Sequence, residues 1–89
     1  LKKIWKFPLK LTDEQEVNLP AGAEILAMQM QGEVLCMWVL VDEQVEKTKN
    51  LKTIRIIGTG YPDDVSKSEY FTTFQIPKIG IVLHVFVKE

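Results

Sequence analysis

Apolar and polar residues alternate with a period of two along most of this chain, and a period of 3.6 is nowhere sustained. In IWKFPLKL the odd positions Trp5, Phe7, Leu9 and Leu11 are apolar, with Lys6 and Lys10 between them. That is the pattern of a half-buried strand, and Pro8, which has no backbone N–H, places it at a sheet edge. EQEVNLP continues the alternation, with Val17 and Leu19 on one side and Glu16 and Asn18 on the other. The PAG at 20–22 is a turn. EILAMQM and VLCMWVLV flank QGE, which predicts a hairpin with Gly32 at its tip. LKTIRIIG is a further long strand, and YFTTFQI and GIVLHVFV form a second hairpin across PKIG. Between them, YPDDVSKSE reads as a loop in which Pro62 can start at most one helical turn. DEQVEKTKN is a charged connection with no apolar stripe, long enough for one turn of helix.

These elements predict a single all-β domain over residues 1–89, a compact antiparallel sandwich or partly open barrel of six or seven strands. Two of the strands are apolar on both faces. VLCMWVLV sets Val34, Cys36, Trp38 and Leu40 against Leu35, Met37, Val39 and Val41. GIVLHVFV sets Ile81, Leu83, Val85 and Val87 against Val82 and Phe86. Either such a strand lies between two layers or one face meets another copy, so a homo-oligomer is expected. Trp5 and Trp38 sit within apolar alternations and are expected to pack in the core.

Composition narrows the class. At 89 residues with 46% apolar and 26% charged side chains, the chain is globular in character. Eleven basic and twelve acidic residues leave a formal charge of −1, which gives no field favouring nucleic acid or an anionic membrane. The eight-residue run VLCMWVLV is too short to span a bilayer as a helix. The lone Cys36 rules out an internal disulfide framework, and LKKIWKFPLKL does not resemble a signal peptide. An intracellular protein is expected.

The candidate chemistry is sparse. RIIGTGYPDD places Gly58 and Gly60 after an apolar run, but the third glycine of a dinucleotide fingerprint and the Gly-Lys-Ser/Thr of a P-loop are missing. Asp63 and Asp64 would also repel phosphate. A strand end that needs positive φ accounts for the glycine pair. His84 is the only histidine, too few for a metal site or relay, and a hydrogen-bonded role in a sheet is expected of it. Cys36, between Leu35 and Met37, reads as a buried hydrophobe. No catalytic residue, metal or cofactor is indicated. Lys2, Lys6 and Lys10 share one face of the first strand, where lysines commonly block sheet-to-sheet pairing. Arg55, the only arginine, carries a fork of donors suited to carboxylate or phosphate. If the chain holds an anionic ligand, the candidate set is Arg55, Gly58, Thr59, Gly60, Tyr61 and His84. If Arg55 instead pairs with an acidic side chain, the segment is a strand and a turn.

The order of segments KIWKFPLKLTDEQ, LPAGAEIL, LCMWVLVD, RIIGTGYP, EYFTTFQI and HVF resembles, over nearly the full chain, a family of small bacteriophage and prophage proteins known as a domain of unknown function. Its members usually carry histidine in Gly-Thr-Gly-X-Pro where this chain has Tyr61, so a role needing an imidazole there does not carry over. The resemblance implies a phage origin and expression in the cytoplasm of an infected bacterium. With no enzyme signature, the expected function is a non-catalytic binding protein that antagonises a bacterial defence system. It would occlude a host protein or sequester a small anionic signalling nucleotide. The alternative is a virion or assembly component, whose two-sided apolar strands make lattice contacts.

Overall fold

The computed structural model describes residues 1–42 and 49–89. Among these residues seven strands form: β1 (Lys2–Leu9), β2 (Glu14–Pro20), β3 (Glu24–Gln31), β4 (Val34–Asp42), β5 (Lys49–Gly58), β6 (Glu69–Ile76) and β7 (Ile81–Lys88). They divide into a three-stranded sheet, β1-β4-β3, and a four-stranded sheet, β2-β5-β7-β6. Every hydrogen-bonded neighbour is antiparallel. The sheets are stacked rather than closed into a barrel, and the 15 Å shortest dimension fits two layers about 10 Å apart. The expected sandwich is therefore the arrangement found. Among the described residues no helix forms, so Pro62 starts none and nothing helical could cross a membrane. The helical turn considered within DEQVEKTKN falls on residues outside the described ones.

The core is where the two alternations meet. Leu35, Met37, Val39 and Val41 from β4 and Leu9 from β1 face Leu19, Ile54, Ile56, Phe74 and Val85 of the other sheet in one buried cluster. β4, as the central strand of its sheet, has the burial that its two-sided apolar sequence predicts. Cys36 lies on its other face, buried and free. Its thiol should react slowly with an alkylating reagent in the native protein and quickly after unfolding. Rapid native labelling would contradict this placement.

The tryptophans differ from expectation. Trp38 shares the outer parity of Leu40 and is only half-buried, while Trp5 remains 39% exposed against Phe7, with ring centroids 6.2 Å apart. Trp38 lies on the outer face of the central strand, and Trp5 lies on the edge strand β1, whose first half is exposed on both faces. Neither ring belongs to the core.

Two turns follow from local chemistry. Gln31 pairs with Val34 across Gly32-Glu33, and Gly32 alone has positive φ, 62°. Glycine at the first position of a two-residue loop is the type II′ requirement. By contrast, β5 and β6 lie on either side of β7 and therefore run parallel to each other. Their connection, residues 59–68, must cross the sheet from one end to the other. This crossover positions the candidate site.

Candidate functional site

Arg55 lies opposite to the buried Ile54 and Ile56 and so faces outward from β5, paired with Glu14 on β2 and Phe86 on β7. Its guanidinium engages two carboxylates. Nη1 donates to Glu14 Oε1, and Nη2 donates to Asp63 Oδ2 at 2.6 Å. Asp63 belongs to the crossover, so one side chain ties together β2, β5 and the chain passing over the sheet. Asp63 first and Glu14 second raise the Arg55 pKa above its ordinary value, keeping it charged throughout the accessible pH range. Arg55 Nε is shielded from solvent and without a partner among the described residues. Further along, Asp64 accepts the Ser66 N–H at 3.0 Å, a local turn bond. The Ser66 side chain first and this backbone bond second, with the Lys88 charge behind them, hold the Asp64 carboxyl below its ordinary range.

The glycine pair divides into two roles. Tyr61 N–H donates to Gly58 C=O at 3.2 Å, closing a turn whose third residue is Gly60 at φ 90°. Type II turns demand positive φ there. Gly58 has no positive φ. Its contribution is space, because a Cβ would lie 3.1 Å from Tyr61 Cδ2. The expectation of positive φ at the strand end thus holds for Gly60 and is corrected for Gly58. Gly60→Ala should cost about 1–2 kcal/mol, the penalty of a left-handed backbone on an L-residue. Gly58→Ala should be nearly neutral, since the Tyr61 ring, 76% exposed, has room to move. Equal losses in thermal melts would contradict the division.

His84 occupies the same outer face, one pair along from Arg55. Its Nε2 lies 2.7 Å from Thr59 Oγ1 and its Nδ1 lies 3.0 Å from Thr73 Oγ1. Tyr70 OH extends the chain to Thr73 Oγ1 at 2.8 Å, and its ring meets Phe86 edge-on at 5.7 Å. Both imidazole nitrogens are therefore occupied by hydroxyls that can donate or accept. This is the hydrogen-bonded sheet histidine that the alternation suggests.

Of the six candidate residues, the fold brings Thr59 and His84 into contact and sets Tyr61 over Gly58. Arg55 is drawn instead to Glu14 and Asp63. An open cleft of about 710 Å³, lined by Leu11, Ile57, Tyr61, Ile81 and Leu83, adjoins Arg55 and is mostly apolar. Sequence reading missed Glu14, Asp63, Thr73 and Tyr70. Glu14 stands 41 positions from Arg55, and only a strand pairing that joins non-neighbouring segments brings them together. Among the described residues, no group of three or more His, Cys, Asp or Glu side chains could hold a metal ion.

No curated protein and no solved structure matches this chain. A family model does, over residues 1–89, and its description is "Domain of unknown function (DUF7352)". That match along the whole length places the chain in the DUF7352 family.

Proposed function

We propose that this is a non-catalytic, phage-encoded binding protein that antagonises a bacterial defence system by covering a host protein, and that it acts in the cytoplasm of the infected cell. The observation that carries the choice of a protein over a nucleotide is the state of Arg55. Its two terminal nitrogens already serve two carboxylates. An incoming phosphate would have to displace Asp63 or Glu14 and then face the released negative charge. The outer face of the three-stranded sheet supports the same reading. There Ile4 is 60% and Val34 47% exposed, beside the half-buried Trp38 and Leu40. A register shift between Ile25 and Ala27 leaves Leu26 exposed as well. Lys2 and Lys6 flank this apolar strip on β1. A protein surface with an apolar centre and an acidic rim fits that combination.

The test is phage growth on a defended host, with the gene deleted and supplied in trans. The wild-type chain should restore plating, and Ile4→Glu/Leu26→Glu, which changes only exposed positions, should not. Equal rescue by that variant would remove the sheet face from the mechanism. Recovery of the chain as a fixed component of purified particles would replace occlusion by the virion or assembly role.

A further inference from the structure

We infer that two copies of this chain pair edge to edge, β1 of one copy along β2 of the other, about a two-fold axis parallel to the strands. This interface shares Lys2, Ile4 and Lys6 of β1 with the apolar face assigned above, but it follows from the strand edges and does not rest on that reading. Among the described residues β1 is bonded only to β4, and β2 only to β5, so each is an edge strand of a different sheet. Residues 10–13 carry the chain from one to the other as an arch. Gln15 fastens that arch: its Nε2 donates to Lys10 C=O at 2.7 Å, and Lys10 N–H donates back to Oε1 at 3.1 Å. The two free edges therefore lie on one side of the sandwich and run in opposite directions.

Their unpaired backbone groups can be assigned. Ile56 N–H donates to Asp13 C=O at 3.0 Å, so the odd residues of β2 turn towards β5. Glu14, Glu16 and Asn18 then turn their N–H and C=O groups outward, because successive residues alternate. On β1, Pro8 is tolerated where no N–H is needed, on the outward side. Lys2, Ile4 and Lys6 share its parity. The outward row of one edge thus carries lysines, and that of the other carries Glu16 beside Glu14, whose carboxylate is held by Arg55. β1 contains no acidic residue and β2 no basic one. Pairing β1 with β1, or β2 with β2, would align like charges; pairing β1 with β2 aligns opposite ones. The far edges offer no such contrast, since the only ionic side chains of β3 and β6 are Glu24 and Glu69.

A two-fold axis along the strands makes the contact twice and sets β1 antiparallel to the partner's β2. Each three-stranded sheet then continues into the four-stranded sheet of the other copy. The edge lysines act as one half of a matched pair, and the same charges discourage open-ended stacking through β1 alone. The lengths agree too, at eight and seven residues.

Light scattering tests the arrangement. The wild-type chain should give twice its 10.2 kDa mass at micromolar concentration. Lys2→Glu/Lys6→Glu and Glu16→Lys should each be monomeric, because each places like charges along both contacts. Mixed in equal amounts they should return the dimer mass, since the mixed pair has one native and one exchanged contact. A monomeric wild type, variants that stay dimeric, or no recovery on mixing would each overturn the proposal. If either variant fails to fold, salt decides. Raising ionic strength from about 0.05 to 0.5 M should weaken the wild-type dimer at least roughly tenfold. An unchanged dissociation constant would overturn it.

Discussion

Leu19→Ala should lower the melting temperature by at least about 10 °C, the largest effect expected of any single truncation in β2. Leu19 is fully buried, on the edge strand of one sheet, within a cluster that includes Leu35, Met37 and Val39 of the other. Removing a buried leucine costs about 2–5 kcal/mol, from lost transfer energy and from the cavity left behind. A domain of this size has about 5–15 kcal/mol of stability, and each kcal/mol shifts its melting point by roughly 4–8 °C. Leu51 provides the control. It lies opposite Asn18 on the outward parity of β5 and is 49% exposed, so Leu51→Ala should stay within about 0.5 kcal/mol. Comparable losses at both positions would mean that the core does not lie between the sheets.

Arg55→Ala should also destabilise the protein, and it should loosen the crossover first. Isolated surface ion pairs contribute little. Arg55 differs because one planar fork bridges carboxylates from two segments, and its side chain is only 25% exposed. Without it, Glu14 and Asp63 are left near each other with no cation between them, and residues 61–68 lose their tie to β5. A melting point lowered by several degrees, with faster limited proteolysis within that segment, is the expected result. Arg55→Lys should recover part of it, since one ammonium cannot reproduce the bidentate geometry. Unchanged melting and proteolysis would show that the ion pairs hold nothing in place.

The strands were legible because each buried face imposes a period of two, as Val17 and Leu19 show on β2. Gly32 was legible because a two-residue hairpin admits few residues at its tip. Sheet membership was not. β1 and β2 are neighbours in sequence and continue one alternation, yet they belong to different sheets, because the arch at 10–13 turns across the core. Trp5 misled for a related reason: an alternating strand at an edge can overhang the facing sheet, and its apolar residues then stay exposed. In the candidate site, the glycine turn and the lone arginine were visible as chemistry, but Glu14 was not. Its relation to Arg55 exists only through the β2–β5 pairing. The role of Asp63 likewise depends on a crossover that becomes evident once β7 is known to lie between β5 and β6.

Arg55 is committed to the fold through Glu14 and Asp63 and is unavailable to an anion. The most direct measurement is calorimetric titration of the wild-type chain with linear and cyclic nucleotides up to about 1 mM, where binding weaker than roughly 4 kcal/mol is lost. The expected result is no saturable heat, alongside a lowered melting point for Arg55→Ala. Saturable binding that Arg55→Ala abolishes, with the melting point unmoved, would contradict it and return the turn at Gly58–Tyr61 to the role of a ligand site.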